Sequence, residues 1–184
     1  DVVRDDQFPG LRGRLKLHAL GMLLSRIDTI VAVSNDARAN HLAYLPQLRR
    51  REGRVITIRN GIDMSRFDDS VPSRDGSFRE ECGIDNDVFL MGFLGRFMEQ
   101  KGFLYLLDAL DRLLADGLEG SFHLLAVGSG DYIREYKTEI ERRPPLASHI
   151  TFLDQVHDVQ PILRELDLLV MPSLWEACPL LPME

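Results

Sequence analysis

Two acids and two bases in this sequence have the spacing to grip a phosphorylated, hydroxyl-rich ligand. The acids are Glu176 and Glu184, with seven residues between them in the stretch Pro172–Glu184, which reads PSLWEACPLLPME. A short apolar run, Leu168 to Met171, leads into Pro172-Ser173 and reads as a buried strand leaving a sheet. If the segment from about Leu180 opens a helix, the two carboxylates sit at different depths of one crevice at strand C-termini. Open α/β sheets bind ligands there. Unpaired N–H groups at a helix start suit a diphosphate. Carboxylates cannot hold phosphate, but they accept hydrogen bonds from sugar and ribose hydroxyls. The plainer reading makes Glu176 an exposed turn residue and Glu184 an ordinary helix acid.

The bases are Arg96 and Lys101. Arg96 follows Gly95 at the end of the apolar run Val88–Leu94, and Lys101-Gly102 opens a strongly patterned helix. Two cations at a helix start are badly placed for its dipole unless an anion lies between them. A diphosphate would satisfy both, the arginine as a fork and the lysine as a point charge. The alternative is an ordinary surface ion pair, with Glu99 as the nearest acid. Gly128-Ser129-Gly130 ends a further apolar run. Its glycines permit close backbone approach but lack the third glycine of the dinucleotide fingerprint. The histidines at 18, 41, 123, 149 and 157 form no pattern, and His123 inside a strand reads as structural. Trp175 could wall a sugar site or pack in the core. Ser173 has no histidine and acid to complete a triad.

The elements that must position these groups alternate. An amphipathic helix spans 11–27, with Leu11, Leu15, Ala19, Met22, Leu23 and Ile27 at helical spacing and Arg12, Arg14 and Lys16 among them. Such a helix either packs on a sheet or lies on an anionic membrane surface. The runs TIVAV (29–33) and VITI (55–58) read as buried strands. Ser34 is the expected N-cap of a helix over 35–44. Pro46–Gly53, with Arg49, Arg50 and Arg51 in a row, reads as a solvated loop. Arg59-Asn60-Gly61-Ile62-Asp63 reads as a turn, because Asn and Gly tolerate positive φ, and Phe67 as its apolar anchor. Residues 68–77 are the best linker in the chain. After it come a helix over 78–82, a strand over 88–94, a helix from 103 stopped at Gly117, and a strand over 122–127. A helix over 132–142 follows, stopped by Pro144-Pro145. A strand over 150–153, a helix from Asp158 to near Leu166, and a strand over 168–171 complete the series. This β-α-β-α rhythm implies a mostly parallel sheet with right-handed crossovers. All strand ends then face one edge, which gathers Gly95-Arg96, Gly128–Gly130, Gln155-Val156 and the Glu176 segment.

Composition narrows the classes. The chain has 184 residues, 45% hydrophobic and 28% charged, which is ordinary for a globular protein. A net charge of −7 argues against a general nucleic-acid binder. Cys82 and Cys178 lack metal-type spacing and fit a reducing compartment. No apolar run approaches the roughly 20 residues that span a bilayer. There is no leader pattern and no initiator Met, and Glu184 falls inside an expected helix, so both ends read as cut.

Taken in order, the motifs resemble those of the retaining glycosyltransferases of family 4. They are Arg59-Asn60-Gly61-Ile62-Asp63 with Phe67, Gly95-Arg96 with Lys101-Gly102, Val127-Gly128-Ser129-Gly130, and Pro172-Ser173 with Glu176 and Glu184. The Glu-x7-Glu element is the most specific. The resemblance runs from about residue 28 to the end and implies a GT-B fold: α/β, two Rossmann-like parallel-sheet domains, both incomplete here. Residues 1–70 would be the last part of the acceptor-side domain, 71–77 the linker, and 78–184 the first part of the donor domain.

The resemblance also implies roles. Arg96 and Lys101 would bind the donor diphosphate and stabilise the leaving phosphate without a metal or other cofactor. Glu176 would hold donor-sugar hydroxyls and Glu184 the ribose. Backbone amides of Cys178, Pro179 and Leu180 would surround the phosphates (Pro179 contributing its chain path, having no N–H), with Gly95, Gly128 and Gly130 close by. The Gln155-Val156 backbone would lie beside the base. The implied partners are a nucleotide-sugar donor and a glycan or lipid-linked acceptor, with no nucleic acid. The implied location is cytoplasmic, with residues 11–27 offered to the membrane's cytoplasmic face. The family commonly has glycine after the first acid, where this chain has Ala177, which puts the sugar pocket in question. A non-catalytic nucleotide-sugar-binding relative is the competing reading, although it would be free to lose Arg96, Lys101, Glu176 and Glu184, and all four are present.

Overall fold

A computed structural model describes residues 2–67 and 78–184. The expected linker at 71–77 lies outside them, as do the side chains of Asp5, Arg66 and Phe67. The chain divides into two compact units, Asp1–Asp63 with Glu176–Glu184, and Met64–Trp175.

The first unit opens with helix α1 (Gly10–Leu24), strand β1 (Ile30–Ala32) and helix α2 (Asn35–Tyr44). Ser34 caps α2 as expected, its Oγ accepting from the Ala37 N–H at 3.0 Å. A one-turn helix α3 (Pro46–Arg49), a 3-10 turn (Glu52–Arg54) and strand β2 (Val55–Thr57) follow. β1 and β2 pair in parallel, Val31 opposite Ile56. Their inner face, Ile30 and Val55, packs with Leu45 and Leu48 and with Leu17, Leu20 and Leu24 of α1.

Two readings of this unit are corrected. The helix packs on the sheet, but not through the row named for it: Leu11, Leu15, Met22 and Leu23, with Ile27 just past the helix, are exposed, while Leu17, Leu20 and Leu24 face the core. Both rows are apolar, so spacing alone could not choose between them. The arginine loop is not simply solvated. Arg49 donates to the Leu42 and Ala43 carbonyls at the end of α2, and Arg51 donates to Ser25 just past α1. Cations at helix C-termini meet unpaired carbonyls and the negative dipole end.

The second unit contains helix α4 (Phe78–Cys82), strand β3 (Phe89–Leu94), helix α5 (Phe103–Ala115) and strand β4 (Phe122–Val127). Helices α6 (Ile133–Glu141) and α7 (Pro144–Ala147), strand β5 (Ile150–Leu153), helix α8 (Gln160–Leu163) and strand β6 (Leu168–Leu169) follow. The sheet is parallel throughout, in the order β5-β4-β3-β6. Pro144-Pro145 does not merely stop α6. It opens α7, because proline at the first helical positions lacks only an N–H that has no partner there. The helix expected to reach Leu166 is the single turn α8, with Asp158 accepting from the Gln160 N–H.

The core of this unit is aromatic. Phe93, Phe97, Phe103 and Tyr136 are buried together, and Phe97 lies within 5.5 Å of the Phe93, Phe103 and Phe152 rings. Offset and edge-on contacts of this kind add to the burial of the rings themselves. Away from the strand ends, Asp167 accepts from the Leu90 N–H and from Arg79, and Glu165 accepts from the Phe78 and Arg79 N–H groups at the start of α4. Arg143 reaches Asp108, Asp111 and Glu139, tying α5 to α6.

Candidate functional site

The C-terminal edge of the second unit's sheet gathers Gly95-Arg96, Gly128–Gly130 and Gln155-Val156, as parallel strands require. The hydrogen-bond ladder runs one residue past the strands: the Gly95 N–H donates to Val127 and the Gly128 N–H to Leu153, each at 3.0 Å. Beyond it, the Phe97 N–H donates to the Ser129 carbonyl at 2.9 Å, and the Phe97 carbonyl accepts from Tyr132. The loops after β3 and β4 are therefore stitched to each other.

That stitching gives Gly128 and Gly130 a reason the sequence reading did not contain. A Cβ on Gly128 would strike the Gly95 carbonyl, and one on Gly130 the backbone of Phe97. The close approach these glycines permit is that of a neighbouring strand-end loop.

Arg96 stands between Gly95 and the fully buried Phe97. The Phe97 ring is locked among Phe93, Phe103 and Phe152, so the backbone presenting Arg96 is anchored on its core side. The Arg96 side chain is exposed and forms no ion pair among the described residues, so the expected alternative partner, Glu99, does not hold it. Lys101 is half-buried and closes a 3-10 turn, Glu99–Lys101, that leads into α5. Gly102 joins that turn to the helix at φ 68°, in the left-handed region that glycine alone enters without strain. A Cβ there would also meet the Pro172 carbonyl.

Sequence reasoning missed Phe97 and two polar side chains. Gln100 grips the chain after β6: its Nε2 donates to the Trp175 carbonyl and its own carbonyl accepts from the Leu174 N–H, both at 2.8 Å. Ser129 Oγ donates to Gln155 Oε1 at 3.0 Å, bridging the loops after β4 and β5. The available signal was position alone, since both lie within a few residues of a strand end. Ser173 Oγ is buried with no hydrogen-bond partner among the described residues, which is unusual for a buried hydroxyl.

The remaining sequence-chosen residues, Glu176, Cys178, Pro179, Leu180 and Glu184, fall in the first unit. Glu176, Cys178 and Pro179 are half-buried, while Leu180 and Glu184 are exposed. The helix expected from Leu180 is a single 3-10 turn, Leu181–Met183. The Glu184 N–H is used by the Leu180 and Leu181 carbonyls rather than left for a ligand. The turn expected at Asn60-Gly61 also differs: among the described residues no non-glycine has positive φ, and Gly61 is not among the glycines that do. Asn60 uses its side chain instead, Nδ2 donating to the Cys178 carbonyl at 3.0 Å.

Two of the histidines serve the fold. His123 Nε2 meets Thr151 Oγ1 at 2.9 Å, and burial, with His149 nearby, holds its pKa below the usual histidine value. His149 is buried and takes the Gly120 N–H on Nε2, which leaves its Nδ1 to donate to the Pro145 carbonyl. Both line a cavity of about 550 Å³ near Cys82, Asp85 and Glu119, at the opposite edge of the sheet from Arg96. Burial and the carboxylates of Glu81 and Glu165 push the Cys82 thiol up, away from the reactive thiolate.

The chain belongs to the glycosyl transferases group 1 family, whose profile matches residues 88–184. It is 32% identical over 165 residues to the putative glycosyltransferase EpsF of Bacillus subtilis, covering 89% of this chain and 41% of that protein. It is 27% identical over 132 residues to an Escherichia coli UDP-Gal:alpha-D-GlcNAc-diphosphoundecaprenol alpha-1,3-galactosyltransferase, covering 71% of this chain and 34% of that one. The chain thus spans less than half the length of these relatives. The fold is that of GT-B glycosyltransferases. Anabaena HepE, solved with UDP-glucose, matches 96% of this chain and 46% of its own with a TM-score of 0.72 at 20% identity. WaaG, a glycosyltransferase involved in lipopolysaccharide biosynthesis, matches 96% of this chain and 50% of its own at 0.73 and 21%.

Proposed function

We propose that this chain is the donor-binding portion of a longer retaining glycosyltransferase. The enzyme moves a sugar from a nucleoside-diphosphate sugar to a glycan or lipid-linked glycan. The observation that carries this reading is Arg96. It is an exposed cation without an ion pair among the described residues, presented just past the end of β3 next to a buried phenylalanine and five residues before Lys101. A cation left open to an incoming anion is what a leaving diphosphate requires. The family match over this segment supports the same reading, as do the UDP-glucose and UDP bound by HepE.

In this proposal the bond from the sugar's anomeric carbon to the donor phosphate breaks while the acceptor oxygen bonds on the same face. The acceptor proton passes to the leaving phosphate. Negative charge grows on the diphosphate, and Arg96 and Lys101 stabilise it more in the transition state than in the ground state. Two protein cations then take the place of a metal, and no cofactor is needed. Glu176 accepts hydrogen bonds from donor-sugar hydroxyls and Glu184 from ribose hydroxyls. They are not the acid–base pair of a glycoside hydrolase. The Cys178–Leu180 segment surrounds the phosphates and the Gln155-Val156 backbone flanks the base. Residues 1–70 belong to the acceptor-side domain, 71–77 to the linker and 78–184 to the donor domain. The protein works in the cytoplasm. The exposed Leu11, Leu15 and Leu23 of α1, with Arg12, Arg14 and Lys16, are offered to an anionic membrane surface.

The deciding experiment titrates UDP, GDP and ADP by calorimetry into the product of the full open reading frame that encodes this chain. Tight binding of one nucleotide supports the proposal and names the base. A folded protein that binds none of them overturns it and leaves a non-catalytic relative. The 184-residue chain by itself is expected to transfer no sugar, and measured turnover by it would show that the acceptor site does not need further chain.

A further inference from the structure

The motif Arg59-Asn60-Gly61-Ile62-Asp63 has no part in the chemistry above. Its residue types suggest a tight turn, yet Asn60 and Gly61 both keep negative φ. Asparagine is therefore not needed here for backbone freedom. What it supplies is an amide: Asn60 is half-buried, and its Nδ2 donates to the Cys178 carbonyl across 118 residues of sequence. The base of that amide is firm. β2 runs on into Ile58, whose N–H donates to Ala32 at 3.0 Å, two residues before Asn60. The acceptor end is irregular: residues 176–180 form no helix or strand, and the 3-10 turn Leu181–Met183 follows them.

We infer that Asn60 is a positioning residue for the donor site, fixing the Cys178–Leu180 segment through its carbonyl. This rests on the reading that this segment surrounds the donor phosphates. A carbonyl held by a donor fixes the peptide plane after it; here that plane ends on Pro179, which has no N–H and a ring-fixed φ, so the hold sets the path of the chain into Leu180, whose N–H is the first one beyond it. An anion-binding segment that is held before the ligand arrives does not have to be ordered at the ligand's expense. Asn60 thereby acts on donor affinity without touching the donor.

The test uses the full-length protein and two variants. Asn60→Asp keeps the shape and removes the donor, and Asn60→Ala removes the side chain. Nucleotide affinity is measured by calorimetry with UDP, GDP and ADP, and KM for the donor and kcat by steady-state transfer. Cys178 and Cys82 serve as internal reporters, since both are free, partly buried thiols whose alkylation by iodoacetamide can be timed. Both variants are expected to weaken nucleotide binding and raise donor KM by roughly tenfold, the worth of one net hydrogen bond, with little change in kcat. Cys178 should alkylate faster in both and Cys82 at its wild-type rate. Unchanged affinity and KM would overturn the inference. So would faster alkylation of both cysteines, which marks general loosening. Wild-type protein that binds no nucleotide would overturn the inference and the donor-site reading together. Wild-type binding with indifferent variants overturns the inference alone.

Discussion

The two units treat the same kind of strand differently. In the second, Leu90–Leu94 of β3 and Leu124–Val127 of β4 are buried at every position, so both faces of the sheet are covered. In the first, Ala32 and Val55 are 2% exposed, while Val31 and Ile56, paired side by side, are 50% and 39% exposed. Both units carry continuous apolar strands, which in parallel sheets are made for burial on two faces. The second unit is finished around its core. The first has one finished face and one apolar face that no described residue covers, and the same is true of the outer row of α1. At the strand-end edge of the second unit the backbone at Arg96 is tied to the core through the buried Phe97.

The contrast can be tested from its strongest point downward. Phe103→Ala in the second unit removes a fully buried ring and should cost about 3–5 kcal/mol, read as a fall in the urea midpoint. A loss under about 1 kcal/mol would mean this core is not the anchor described. Arg96→Ala should lower the sugar-transfer rate of the full-length protein by about 10²–10³. A change of only a few-fold would remove Arg96 from the diphosphate site. Gly128→Ala forces a Cβ onto the Gly95 carbonyl at φ 144°, and about 1–3 kcal/mol of stability should be lost even with no ligand present. Nucleotide affinity lost at wild-type stability would instead make Gly128 a ligand residue.

Acid should strike both units. Burial lowers the pKa of His41 in the first and of His123 in the second, so each is favoured neutral when folded. The stability from each is full above the unfolded value of about 6.5 and lost as pH falls through the lower folded value. Asp167 is lowered chiefly by the Leu90 N–H and then by Arg79. Its contribution is full above the unfolded value near 3.9 and lost as pH falls through the folded one. Melting temperature should therefore drop in two stages. His41→Gln and His123→Gln should each flatten the upper stage, and Asp167→Asn the lower. The smallest effect is expected at Leu15→Ser on the open face of α1, within about 0.5 kcal/mol for this chain. A large loss there would show that the outer row is covered after all.

The strand-and-helix series, the Ser34 cap and the gathering of Gly95, Arg96, Gly128 and Gln155 at one edge were legible because each follows from local spacing and from the shared direction of parallel strands. The inner face of α1 was not legible, because two apolar rows competed and only contact with Leu45 and Leu48 chose between them. Asn60 misled for a similar reason: its type signals a turn, and its use lies 118 residues away.

The sequence by itself determined the α/β order and the family, since period and motif order are properties of the chain. The tertiary structure decided that Phe97 anchors Arg96, that Gly128 and Gly130 yield to a neighbouring loop, and that Asn60 holds Cys178. Those are contacts between segments distant in sequence. No local pattern encodes them, because they exist only once packing has brought two backbones within a hydrogen bond of each other.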